Sequence, residues 1–95
     1  MQLEELISII KQRIKTLPKD SYVAKLYKEG ENRILQKVGE EAVEVIVASK
    51  GKDKKHLQEE MADLLFMILV LMVIKDVSLE DILEVLKKRR KSRLE

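Results

Sequence analysis

Apolar residues recur along this chain at three- and four-residue spacing, the period of a helix face. Leu3, Leu6, Ile7, Ile10, Ile14 and Leu17 define a first predicted helix, ended by Pro18 and followed by Lys19, Asp20 and Ser21 as a connection. Ser21 is placed to cap a short second helix from Tyr22 to about Glu29, and Gly30 suits a left-handed exit. A third helix runs from about Asn32 to Lys50, carries Ile34, Leu35, Val38, Ala42, Val45, Ile46 and Ala48, and closes at Gly51. Asp53 caps a fourth that reaches about Lys75. The run from Ser78 to Asp81 resembles a capping box and opens a fifth, with Leu79, Ile82, Leu83, Val85 and Leu86 as its apolar stripe. No segment alternates with a period of two for long, and one proline and three glycines are few breaks for 95 residues. The pattern predicts one all-α domain, a helical bundle of about five helices, with no internal repeat or low-complexity linker.

Leu64 to Ile74 is apolar all round, and a surface helix of a small bundle should show a polar face. The run is eleven residues long, well short of the roughly 20 that span a bilayer. A chain this short buries only about 60–70% of its unfolded surface. A second copy is the simplest cover for such a helix, so completion of the bundle by homodimerisation is expected. Glu4 and Glu5 fall where the apolar part of a secretion signal would begin, which predicts a soluble, cytoplasmic protein with no membrane partner.

Composition removes several chemistries. Cysteine is absent and His56 is the single histidine, which excludes disulfides, cysteine-type zinc sites, a thiol nucleophile and His-rich metal sites. The 19 basic and 17 acidic residues nearly cancel to a net charge of +2, too balanced for a general nucleic-acid binder. The basic run from Lys87 to Arg93 lacks interleaved aromatic residues, and cations at a helix C-terminus are favourable without a ligand; contact with an anionic substrate is the other reading.

The acidic residues are more informative. Glu41 and Glu44 are neighbours across one turn of the third helix, with Glu40 at the border of the same patch; Glu60 and Asp63 are neighbours on the fourth. A short turn around Gly51 should pack these helices antiparallel. Glu44 lies seven residues before that glycine and Glu60 nine after it, so the pairs can face each other. Crowded carboxylates repel unless a cation intervenes, and no lysine or arginine occurs between Lys55 and Lys75. A single Glu-x-x-Glu is usually plain solvated surface; two such pairs at matched offsets beside apolar runs favour a shared role. All-oxygen ligands select hard ions, Mg²⁺ or also Mn²⁺, which usually work with substrate phosphates. Glu41, Glu44, Glu60 and Asp63 are the expected ligands, and Glu40 is a further ligand or a base. Gly39, inside a helix where glycine costs about 1 kcal/mol relative to alanine, marks either a close approach by a ligand or helix, or packing alone.

Glu40-Glu41-x-x-Glu44 and, fifteen residues on, Glu60-x-x-Asp63 resemble the metal-binding signature of the MazG-like all-α nucleoside triphosphate pyrophosphohydrolases. The segments Ser21 to Leu26, Arg33 to Ala42 and Ala62 to Leu65 are similar to the phosphoribosyl-ATP pyrophosphohydrolase family of histidine biosynthesis, and the resemblance runs to about Arg90. It implies Mg²⁺-dependent hydrolysis of phosphoribosyl-ATP to phosphoribosyl-AMP and pyrophosphate by a homodimer, in the form without a fused cyclohydrolase. Val23, Gln36 and the pair Phe66-Met67 depart from common family residues, and Met67 excludes a histidine base at its position.

With that resemblance, Lys25, Arg33 and Lys37 become candidates for phosphate contacts. Ser21 and Tyr22 are candidates for ribose or phosphate, although capping and packing account for them nearly as well. Glu40, Glu41 and Glu44 are the candidate catalytic groups. Two other readings stand beside this one: a related pyrophosphohydrolase that clears aberrant nucleoside triphosphates, and a non-catalytic helical dimer that binds acidic partners through its basic tail.

Overall fold

A computed structural model describes residues 1–95 and contains six helices and no strand. They are α1 (Leu3–Thr16), α2 (Tyr22–Glu29), α3 (Glu31–Ser49), α4 (Lys54–Ile74), α5 (Leu79–Lys88) and α6 (Arg90–Leu94). Three of the expected caps are made: the Ser21 hydroxyl accepts from the Ala24 N–H, Asp53 from the His56 N–H, and Ser78 and Asp81 form a reciprocal capping box. The Ser78 backbone and hydroxyl hold the Asp81 carboxyl below its ordinary value, so its contribution to stability is present above that value and lost as pH falls through the lowered one.

The chain departs from expectation at three breaks. Leu17, at φ 50 and ψ 57, takes the left-handed turn that ends α1, and Pro18 follows it. Gly30, at φ 102 and ψ 170, is not in the left-handed helical region; it adopts an extended conformation that only glycine tolerates well and leads straight into α3. The expected fifth helix breaks at Arg89, so the basic tail ends in the separate turn α6, where Arg90 pairs with Glu95 at 3.1 Å.

The body consists of α1 to α4, with α3 packed along α4 and both α1 and α2 closing one side. Ile10, Val23, Leu26, Ile34, Met67, Leu69, Val70 and Met72 form the core. Burial is sparse: 11 of the 95 residues are buried, and none of them lies on α5 or α6. The apolar run on α4 is therefore not covered all round by its own chain, since Leu65 is 45% and Ile68 39% exposed. On α3 the outward side is apolar too, with Leu35, Val43, Ile46 and Val47 exposed. A Cβ added at Gly39 would meet nothing within 4 Å, so packing inside this chain does not require that glycine. No helix is long and apolar enough to cross a membrane.

Ile34 is 1% exposed and joins α3 to the core, so Ile34→Ala should destabilise the fold by about 2–5 kcal/mol in a urea titration. A loss below about 1 kcal/mol would show that this contact does not hold α3 in place.

Candidate active site

The long α3–α4 pair brings the two acidic stretches together because the helices are antiparallel and joined by a turn of four residues, Lys50 to Asp53. Glu41, Glu60 and Asp63 each present a carboxylate oxygen, and these oxygens all lie within 4.8 Å of one another. Glu41 is buried and the Glu60 side chain is 14% exposed, while Asp63 reaches solvent.

Cationic compensation is thin. Lys37, one turn before Glu41, places its Nζ 3.1 Å from Glu41 Oε1, and that hydrogen bond holds the lysine above its ordinary pKa. His56 Nδ1 stands 3.8 Å from Glu60 Oε1, one turn away on α4. The second oxygens of the same two residues, Oε2 of Glu41 and Oε2 of Glu60, are buried without any hydrogen-bond partner. Buried polar atoms in native proteins are rarely left unpaired, because stripping water from a charged oxygen costs several kcal/mol when nothing replaces it. Two such oxygens beside a third carboxylate are compatible with a divalent cation, and the donor set is all oxygen, as hard ions require.

Glu44 sits at the mouth of this group, exposed, and interacts with Glu60 and Glu41. The hydrogen bond its protonated form makes with Glu60, followed by the negative charges of Glu41 and Glu60, pushes its carboxyl above the ordinary value of 4.5. Glu40 is turned elsewhere: its carboxylate lies 3.5 Å from Arg33 Nη1 and 3.5 Å from Gln36 Nε2. Successive residues on a helix point about 100° apart, so Glu40 and Glu41 serve different faces. Arg33 also reaches Glu29 at 3.5 Å, which ties it to the α2–α3 corner.

A cleft of about 270 Å³ opens onto the carboxylates and is lined by Tyr22, Lys37, Glu41, Asp63, Phe66 and Met67. Tyr22 and Phe66 form its aromatic wall, with ring centroids 6.2 Å apart. Lys25 and Ser21 do not line it; they border a neighbouring cleft that shares Tyr22. Sequence reasoning missed His56, whose signal was its four-residue spacing to Glu60, and missed Phe66 as a wall of the site.

The raised Glu44 pKa has a definite sign. A carboxyl that is easier to protonate in the fold than in the unfolded chain lowers stability while it is charged, and the penalty fades as pH falls through its folded value. Glu44→Gln should therefore raise the melting temperature in metal-free buffer at pH 7, with the gain disappearing as the solution is acidified below about pH 4. A variant that melts at or below the wild-type temperature at pH 7 would show that the carboxylates do not repel one another.

Comparison with known proteins bears on what this cleft serves. The model of the family "Phosphoribosyl-ATP pyrophosphohydrolase" matches residues 3–90. A phosphoribosyl-ATP pyrophosphatase of Metallosphaera sedula is 44% identical over 94% of this chain and 96% of its own length. Another, from Leptospira biflexa, is 47% identical over 92% of this chain and 95% of its own. A histidine biosynthesis bifunctional protein of Bacillus subtilis is 46% identical, and the match spans 92% of this chain but 42% of that longer protein. With a match along nearly its whole length and carboxylates gathered where α3 meets α4, the chain belongs to the phosphoribosyl-ATP pyrophosphohydrolase family.

Proposed function

We propose that this protein hydrolyses phosphoribosyl-ATP to phosphoribosyl-AMP and pyrophosphate, the second step of histidine biosynthesis, with Mg²⁺ as cofactor and Mn²⁺ as a substitute. The observation that carries the reading is the pair of partnerless buried oxygens on Glu41 and Glu60 beside Asp63, in a chain of this family. Water supplies the oxygen that enters, the phosphoanhydride bond between the α- and β-phosphorus breaks, and pyrophosphate leaves.

Glu41, Glu60 and Asp63 would hold the ion; Glu44, the fourth expected ligand, lies outside that group, although it interacts with Glu60 and Glu41 from its exposed position. The bound cation supplies charge withdrawal from phosphate oxygens and a lowered pKa for water. Glu44, exposed beside the group, is placed to accept the proton of the attacking water. Glu40, engaged by Arg33 and Gln36, is assigned to holding Arg33 and not to the ligand set. Lys37 neutralises Glu41 and faces the cleft, which suits it to stabilise charge on the departing pyrophosphate. Lys25 borders the neighbouring cleft, with Tyr22 as an aromatic surface common to it and the acidic cleft; Arg33 lines neither and is held by Glu29 and Glu40.

The working form in this reading is a homodimer in the cytoplasm. Support comes from the exposed apolar residues of α3 and α4, Leu35, Val43, Ile46, Val47, Met61, Leu65 and Ile68, on a body that buries little of itself. Gly39 lies on the same outward side of α3 with open space around it, which permits another helix to approach closely.

Pyrophosphate release in Mg²⁺ buffer, from phosphoribosyl-ATP set beside ATP and a panel of deoxynucleoside triphosphates, tests the proposal. Turnover confined to phosphoribosyl-ATP is expected, with Glu60→Gln and Asp63→Asn each lowering kcat by about 100-fold or more. Turnover of the panel with phosphoribosyl-ATP ignored would move the protein to clearance of nucleoside triphosphates. Undiminished turnover in both variants would overturn the site.

A further inference from the structure

Tyr22 lines a second hollow besides the acidic one: an open cleft of about 540 Å³ at the connection between α1 and α2, walled by the stretch from Pro18 to Tyr22 and by Lys25, Lys28 and Glu29. Its charge is opposite to that of the first. Lys19, Lys25 and Lys28 face Asp20 and Glu29, and Glu29 is already tied to Arg33 at 3.5 Å. None of the three lysines is within ion-pairing distance of a carboxylate, whereas Lys37 and Lys75 each have one at about 3 Å. Three lysines against two carboxylates, one of them already paired with Arg33, leave the cleft an excess of positive charge that a bound anion would neutralise.

The substrate proposed above is anionic at both ends. One end is the triphosphate; the other is the 5′-phosphate of the second ribose. The acidic cleft takes the end at which the bond breaks and has nothing to offer the other. We infer that the lysine cleft binds the 5′-phosphate of the phosphoribosyl group, with Lys19, Lys25 and Lys28 as its counter-ions and Tyr22 as the wall shared between the two halves of the site. The inference rests on the substrate reading given above. Because ATP has no such phosphate, this cleft is where the enzyme tells its substrate from ATP.

Lys19 and Lys28 are exposed and outside the core, so the double variant Lys19→Ala/Lys28→Ala should keep the wild-type circular dichroism spectrum. Its KM for phosphoribosyl-ATP should rise about tenfold or more, with the loss carried by KM and not by kcat. Ribose 5-phosphate titrated into the full chain should move the amide NMR signals of Lys19 to Tyr22 and of Lys28, and the double variant should lose that response. An unchanged KM, or wild-type amides that stay in place, would overturn the subsite. A wild type that ignores phosphoribosyl-ATP, yet whose amides respond to ribose 5-phosphate, would overturn the substrate reading and keep the cleft as a sugar-phosphate site.

Discussion

Glu41 and Glu60 cannot both bury a carboxylate at the α3–α4 seam, with Asp63 alongside, without something to hold the charges together. Lys37 answers one oxygen of Glu41, and His56 stands at the edge of contact with Glu60. The remaining buried oxygens have no partner in the chain, and Glu44, one turn farther out, is held above its ordinary pKa first by its hydrogen bond with Glu60 and then by the negative charges of Glu41 and Glu60. A hydrophobic core alone would select against this arrangement. It persists in the fold because the two helices are locked in register by residues that have nothing to do with the charge: Ile34 on α3, and Met67, Leu69 and Val70 on α4.

The same helix pair presents two different faces. Toward α2, the seam opens onto carboxylates, a lysine and the aromatic wall of Tyr22 and Phe66. Away from Glu41, α3 shows Leu35, Gly39, Val43 and Ile46 at helical spacing, and α4 adds Met61, Leu65 and Ile68. One face thus concentrates charge and the other leaves apolar surface uncovered. A chain of 95 residues with 11 buried has little else with which to cover it, so concentrated charge and uncovered apolar surface meet on one pair of helices.

Much of this was legible in the sequence because it follows from helical period. The spacing of Glu60 to Asp63 and the short turn back to Glu41 are enough to bring three acids together, while Glu44, one turn on from Glu41, stays outside that group. The caps at Ser21, Asp53 and Ser78 were readable for the same reason, being local chemistry. Features that depend on rotamers or on distant segments were not. Whether Glu40 turned to the cluster or to Arg33 depended on an arginine two turns back, and the structure gives it to Arg33. The break at Arg89 had no glycine or proline to announce it. The lysine cleft needed the α1–α2 connection to bring Lys19 to the side of Lys25 and Lys28, which no period along the chain encodes.

Direct observation of the ion tests whether the carboxylates at the seam hold a cation. Mn²⁺ titrated into the protein and followed by electron paramagnetic resonance should lose its free-ion signal as it binds. Glu60→Gln should leave that signal at its free level over the same range, with the fold intact by circular dichroism. Mn²⁺ that stays free in the presence of the wild type, with or without nucleotide, would show that these carboxylates hold no cation.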